Sequence, residues 1–333
     1  MTERPDFTVV IATRNRCDRL TRVLGDLGTM TADGRMEVVV VDDGSTDDTA
    51  ARVRAIAERW PAVVYRRTES ARGPAHARNI GWRTGTGRYV AFTDDDCRVQ
   101  PGWPEALLRG HESGADIVQG PTVPDPDVYE RRTALSHWID VEHASYRYET
   151  CNVSYRRELL EQLSGFDESF GTTRGGAPYG EDADLGWRAR EAGAGFTFVE
   201  DAVVVHDVVD EGFWRFLTRR LRRSSMPYFV AMHPGYRRLL PHPWLLTRAH
   251  PPAVLALLGW VVGAAVAVTS GSLVVLVAGP VASAPYVHYR LFRERVSGRR
   301  RMWPVAIAAT WVADLVEIGA LAVGSVRART LLL

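Results

Sequence analysis

Arg-Tyr-Val-Ala-Phe-Thr-Asp-Asp-Asp-Cys, residues 88–97, is the stretch on which the fold turns. Tyr89 to Phe92 is a short apolar run of β-formers, and it leads straight into three carboxylates, Asp94, Asp95 and Asp96. A strand that presents Asp-x-Asp at its carboxyl edge suits a divalent cation carrying a phosphorylated ligand, because hard oxygen donors favour magnesium or manganese. The alternative is an acidic turn closing a strand, since Asp is a common turn residue. The segments on either side decide between the two.

Upstream, Phe7–Ala12 and Met36–Val41 are continuous β-branched runs of the kind buried on both faces of a sheet, and Val63–Tyr65 is a third short strand. Helical spacing fills the gaps. Asp18 is placed to cap a helix carrying Leu20, Val23, Leu24 and Leu27; further helices run from about 48 to 59 and over Pro74–Trp82. This alternation predicts an α/β fold, a mostly parallel sheet with helices on both faces and right-handed crossovers. Ligands of such sheets bind at the carboxyl ends of the strands. Those ends carry Thr13-Arg14-Asn15, Asp42-Asp43 and Asp94–Asp96, so all three clusters should line one edge, with a nucleotide-type ligand as occupant. Asp42 and Asp43 are equally suited to capping the helix that follows them. No Gly-x-Gly-x-x-Gly follows the first strand, which argues against an ordinary dinucleotide fold.

Composition narrows the chemistry. The chain has 333 residues, enough for about two domains. All 41 basic residues are Arg. Without Lys there is no Walker-type phosphate loop, no pyridoxal Schiff base and no lysine nucleophile, so phosphate handling falls to Arg, backbone amides and a metal. Cys17, Cys97 and Cys151 make no zinc-ligand spacing, and their odd count points to a reducing compartment with structural thiols. Residues 1–5 are polar and hold no secretory apolar region.

Downstream, Ile117–Gln119 is a short strand, Tyr129–Arg147 is expected to be a helix or lid, and Thr150–Ser154 is expected to enter a helix over Arg156–Leu163. A Gly-rich loop from 165 to 180 then delivers Glu181-Asp182-Ala183-Asp184 onto a helix start. Acids there are stabilised by the helix dipole, which is the simple capping account. Adjacent carboxylates also push one pKa upward, as a general base working near neutral pH requires. Phe196–Val199 and Val203–Val205 are short strands, the second ending at His206, which sits where a metal ligand would be useful.

The ordered set Val-Val-Ile-Ala-Thr-Arg-Asn-Arg (9–16), Val-Val-Asp-Asp-Gly-Ser-Thr-Asp (40–47), Gly-Pro-Ala-His-Ala-Arg-Asn (73–79), Asp-Asp-Asp (94–96), Gly-Phe-Asp-Glu (165–168) and Gly-Glu-Asp-Ala-Asp-Leu (180–185) resembles the family 2 glycosyltransferases of membrane-anchored bacterial type, over roughly residues 7–240. The resemblance implies the GT-A fold and inverting transfer of a sugar from a nucleotide diphosphate donor. It places Thr13, with the neighbouring Arg14 and Asn15, and Asp42 or Asp43 at the base and ribose, and Arg78 with Asn79 on the nucleotide side. Asp94 and Asp96 become the metal and diphosphate motif with Asp95 between them, His206 a further metal contact, and Asp182 beside Glu181 the catalytic base. Mg2+ or Mn2+ is the implied cofactor. Ala12 stands where the family usually has Pro. The Gln-x-x-Arg-Trp signature of processive synthases is absent, which implies one sugar per acceptor. A sugar-phosphate nucleotidyltransferase would want a Gly-rich basic loop after the first strand, and Thr13–Arg16 does not supply one; a non-catalytic nucleotide-sugar-binding membrane protein is the other alternative.

The expected organisation is a nucleotide-sugar half at 1–115, an acceptor and catalytic-base half at 116–210, basic aromatic juxtamembrane helices at 211–250, and C-terminal transmembrane helices at 251–333. Spans are expected at about 252–269 and 272–289, with a third span or interfacial helix at about 303–326. Arg290–Arg301, with six Arg and one Glu, is expected on the cytoplasmic side, which places the catalytic domain there too, in a multi-pass protein of the plasma membrane. Asp314 and Glu317 share a helical face with Thr310 and should face protein rather than lipid. Arg and aromatic residues at 213–248 would meet anionic headgroups, so a lipid-linked or membrane-surface acceptor is expected, and nucleic acid is not.

Overall fold

The computed structural model describes residues 4–30, 35–170, 179–293 and 302–333. The N-terminal elements alternate as the apolar runs dictate: β1 (Phe7–Thr13), α1 (Cys17–Gly28), β2 (Met36–Asp42), α2 (Thr49–Arg59), β3 (Val63–Arg67), α3 (Pro74–Thr84) and β4 (Tyr89–Phe92). There follow β5 (Cys97–Val99), α4 (Trp103–Glu112), β6 (Ile117–Gln119), β7 (Thr122–Pro124), α5 (Pro126–Tyr129), β8 (Ser136–His137), β9 (Val153–Arg156), α6 (Arg157–Leu163), α7 (Glu181–Glu191), β10 (Phe196–Phe198), β11 (Val204–His206) and β12 (Val209–Asp210). The C-terminal third is helical, with α8 (Phe213–Leu221), a 3-10 turn at Arg222–Ser225, α9 (Met226–Met232), a second 3-10 turn at Pro234–Leu239, α10 (His250–Ser270), α11 (Val275–Phe292) and α12 (Trp303–Ala328).

Two compact units emerge, one of residues 1–129, 138–171 and 180–208, the other of 130–137, 172–179 and 209–333. The first is built on a seven-stranded sheet of order β10-β6-β9-β4-β1-β2-β3. β4, β1, β2 and β3 run parallel, and the register pairs Thr13 with Asp42, so the polar strand ends come out level on one edge. Val9, Ile11, Val38, Val40 and Ala91 are fully buried, and the helix residues Leu20, Val23, Leu24, Leu27 and Trp103 close over the same core. A smaller sheet, β5-β11-β7, sets Cys97 directly opposite His206 on antiparallel strands.

Three expectations need correction. Val153–Arg156 is a strand, β9, lying antiparallel between β4 and β6, where the sequence predicts the approach to a helix. Residues 129–147 form no long helix. The Thr133 and Ser136 side chains bond nearby backbone amides there, a local competitor of helical pairing, and Val141 instead bridges to Thr122. Asp18 does not cap α1; the helix begins after Arg16, and its Cys17 amide donates to Asp47 Oδ2 at 3.2 Å. The stretch expected to span at 272–289 is helical over Val275–Phe292, α11, with Pro280 and Pro285 inside the helix. Among the described residues the two helices long and apolar enough to cross a membrane are α10 and α12.

Gly120, between β6 and β7, has no room for a side chain: a Cβ there would lie 2.1 Å from the Ala202 carbonyl oxygen. Gly120→Ala is expected to cost about 1–3 kcal/mol and lower the melting temperature. Gly25→Ala, in α1 with nothing within 4 Å, is expected to be neutral or slightly stabilising.

In the second unit, α12 reverses the usual pattern of an exposed helix. Its buried side carries Thr310, Asp314 and Glu317, as expected, while Val305, Val312, Val323 and Val326 are exposed. Glu317 accepts from Arg220 Nη1 at 2.8 Å and Arg223 Nη1 at 2.5 Å, with His250 Nε2 at 3.4 Å; Asp314 accepts from Tyr286 and Arg290. The basic run at 290–301 lies largely outside the described residues.

Candidate active site

The carboxyl edge is assembled from loop ends that reach across to one another. Thr13 Oγ1 donates to Asp95 Oδ2 at 2.7 Å, and Arg16 Nη1 spans Asp95 Oδ1 and Asp96 Oδ2, each at 2.7 Å. Asp95 is therefore tied on both oxygens and acts as a strut between the β1 and β4 loops. Burial holds its pKa up at about 6 against the opposing pull of Arg16. Asn15 takes a left-handed backbone (φ 54°), donates its amide to Ser45 Oγ at 2.9 Å and accepts from the Thr46 amide at 2.7 Å, locking the β1 and β2 loops together. Arg14 is exposed beside it.

Asp42 and Asp43 are buried and serve the backbone. Asp42 accepts from the Ser45 amide at 2.6 Å and the Tyr65 hydroxyl at 2.7 Å. Asp43 accepts from the Arg72 and Gly73 amides ahead of α3 and from Thr68 Oγ1, so it fastens the loop that leads into α3 and caps neither α3 nor the helix that follows it in sequence. The expected contacts of these two carboxylates with base and ribose thus compete with a full set of internal bonds. Asn79 is likewise filled: its Nδ2 donates to the Phe166 carbonyl and Glu168 Oε1, and its Oδ1 accepts from Trp82 Nε1 and the Phe166 amide. It anchors the Gly-Phe-Asp-Glu segment.

Arg78 links the two functional clusters. Its Nη2 donates to Asp94 Oδ1 at 2.9 Å and its Nη1 to Glu181 Oε1 at 3.1 Å. Beside Glu181, at the first turn of α7, Asp182 is half-buried. Burial first, then the charges of Glu181 and Glu149, push its carboxyl from 3.8 up to about 8, against Arg78 and the Ala183 amide, which pull it down. Glu149 was not foreseen as a site residue. It is buried, accepting from Gln119 Nε2 at 3.1 Å and Ser145 Oγ at 3.0 Å, and a lone acid between Tyr148 and Thr150 offers no motif to reveal it. Glu149→Gln removes one negative charge near Asp182. Its expected effect is to move the acidic limb of the pH–rate profile to lower pH, read from rates between pH 6 and 9.

The metal-type donors are Asp96, Cys97 and His206, whose ligand atoms lie within 4.8 Å of one another. Asp96 Oδ1 is 3.7 Å from His206 Nε2, while Asp96 Oδ2 is held by Arg16. His206 Nδ1 lies 2.6 Å from the Asp207 carbonyl oxygen; donating there, the ring turns the Nε2 lone pair toward Asp96. A carboxylate oxygen and an imidazole nitrogen so disposed fit a divalent cation. Asp94, expected in the same set, is paired with Arg78 and does not join this group.

A parallel sheet edge carrying an acidic triplet, with a second acidic pair on a following helix start, defines a GT-A glycosyltransferase fold. The model of glycosyl transferase family 2 matches residues 8–176, about half of the chain, and the protein belongs to that family. The chain is 31% identical over 216 residues to the pre-mycofactocin glycosyltransferase of Mycobacterium tuberculosis, covering 61% of this chain and 43% of that one. It is 30% identical over 229 residues to the validoxylamine A glucosyltransferase of Streptomyces hygroscopicus, covering 58% and 53%. It spans about half the length of the curated relatives it matches. In fold it is similar to the mannosyltransferase PcManGT from Pyrobaculum calidifontis, solved with GDP-Man and Mn2+, with a TM-score of 0.56, 24% identity and coverage of 95% of this chain and 87% of that one.

Proposed function

We propose that the protein is a metal-dependent, inverting glycosyltransferase that moves one sugar per turnover from a nucleotide-diphosphate sugar to a hydroxyl of a lipid-linked or membrane-surface acceptor. The observation that carries this reading is Arg78, which joins Asp94, at the diphosphate end, to Glu181, beside a carboxyl tuned for base work. The nucleotide sugar and Mn2+ bound by the Pyrobaculum mannosyltransferase support a donor and a cation of the same kinds.

In this reading Asp182 takes the proton of the acceptor hydroxyl as that oxygen attacks the anomeric carbon from the face opposite the diphosphate. One displacement with one base and no protein nucleophile inverts the centre. Glu149 and Glu181 raise the basicity of Asp182, and Arg78 limits how far it rises. Arg16 neutralises Asp95 and one oxygen of Asp96, so the triplet is not three bare anions facing a diphosphate. Asp96 and His206 would hold a Mg2+ or Mn2+ ion, which when bound offsets charge on the departing diphosphate. The membrane assignment is supported by α10, whose apolar residues between Val254 and Val268 are mostly exposed, Val268 by 87%. The Arg-rich 290–301 run supports a cytoplasmic catalytic domain in a protein that crosses the plasma membrane several times.

Calorimetry with a panel of nucleotide sugars plus manganese, followed by a product assay with the anomeric configuration read by NMR, tests the whole reading. Tight donor binding with inverted product is expected; retained configuration, or binding without transfer to any hydroxyl acceptor, would overturn it.

A further inference from the structure

The third donor beside Asp96 and His206 is a sulfur, and donor-sugar chemistry has no use for it. Cys97 and His206 are direct cross-strand partners on β5 and β11, so both side chains stand on the same face of that sheet. Both are buried, and Asp96, 11% exposed in its side chain, is the opening to the outside. The spacing is informative. Two donors on an octahedral magnesium ion lie about 2.9 Å apart, and two nitrogen or oxygen donors on a tetrahedral zinc ion about 3.4 Å apart. Asp96 Oδ1 and His206 Nε2 are separated by 3.7 Å, nearer the tetrahedral value. Carboxylate, imidazole and thiolate together form a donor set for borderline-soft cations rather than hard ones. The supporting contacts are in place: the Asp207 carbonyl orients the imidazole, Arg16 occupies the other oxygen of Asp96, and Arg22 Nη2 holds the Asp207 carboxylate at 2.8 Å.

We propose that Asp96, Cys97 and His206 form a binding site for a borderline-soft divalent cation such as zinc, cobalt or cadmium, and that its occupation inhibits transfer by withdrawing Asp96 and His206 from the donor diphosphate. Coordination replaces the thiol proton, which leaves to solvent. The inhibitory half rests on the glycosyltransferase reading; the binding half stands on the geometry of β5 and β11.

Cobalt titrated into the full chain should produce a near-ultraviolet cobalt–thiolate charge-transfer band. The band should vanish in Cys97→Ser and persist in Cys17→Ser, whose thiol lies on α1. No band in the wild-type protein at saturating cobalt, or a band that survives Cys97→Ser, overturns the site. Because Cys97→Ser can unfold the small sheet, X-ray absorption of the zinc-loaded wild type supplies a second measurement. One sulfur at about 2.3 Å is expected, and a shell of nitrogen and oxygen alone overturns the proposal. Zinc should inhibit manganese-supported transfer at least tenfold more tightly in the wild type than in Cys97→Ser; equal inhibition overturns the inhibitory half. A cobalt–thiolate band in a protein that transfers no sugar supports the site and overturns only the functional reading.

Discussion

Asp182→Asn is expected to lower transfer by about 10²–10⁴-fold, the usual contribution of a positioned base, while donor binding by calorimetry stays near normal. The same substitution should make the protein more stable, and the effect depends on pH. The carboxyl is held at about 8 in the folded chain against an ordinary value of 3.8. Between roughly pH 4 and 8 the folded state therefore keeps a proton that the unfolded state has released, so stability falls as pH rises through that window. The penalty is complete above about pH 8, where Glu181 and Glu149 face an ionised Asp182 with Arg78 as the opposing cation. Asn carries no such penalty. Thermal melts of the two proteins should nearly coincide at pH 4 and diverge by several degrees at pH 8.5, with the variant higher. Identical melts across this range, or near-normal turnover by the variant, would remove Asp182 from the base role.

Arg78→Met should produce the largest loss of stability in the catalytic unit, about 3–5 kcal/mol. The Arg78 side chain is 8% exposed and its guanidinium sits between Asp94 and Glu181, whose own side chains are 23% and 10% exposed. Removing it leaves both carboxylates facing Asp182 with no cation between them. Arg78→Met with Asp94→Asn should recover part of the loss, because one of the stranded charges is gone, and a double-mutant cycle in denaturant measures that coupling. A loss below about 1 kcal/mol would mean that solvent screens the pair as it does at a surface. Since Arg78 pulls the Asp182 carboxyl downward, its loss should also shift the pH–rate limb upward, opposite to Glu149→Gln.

The parts of this site that were legible in sequence are those written as contiguous runs. β1 and β2 announce themselves by β-branched residues and β4 by a short aromatic and apolar run, and the acids at their ends follow the strand direction. Asp182 was legible because a Gly-rich loop and a helix start frame it. What escaped was decided by distant partners. Val153–Arg156 becomes a strand only because the gap between β4 and β6 accepts it. Arg16 belongs to a plain Thr-Arg-Asn-Arg run, and its value comes from Asp95 and Asp96, some 80 residues further on. Asp42, Asp43 and Asn79 read as ligand contacts in sequence, and the bonds they make inside the fold, to backbone groups and to Tyr65, Thr68, Trp82 and Glu168, are not visible there. Cys97 reads as a structural thiol until β11 sets His206 opposite it.

The Glu317 cluster also sets a clock. Arg220 and Arg223 meet their carboxylate across 97 and 94 residues of chain. At roughly 5–20 residues per second of synthesis, those two guanidiniums wait on the order of 5–20 seconds after emerging before Glu317 exists to receive them. α8 and the turn after it must spend that interval without their ion pair, so this helical unit matures from its far end backward. A ribosome stalled between residues 225 and 317 should hold a nascent chain in which α8 is protease-sensitive, and release past α12 should protect it.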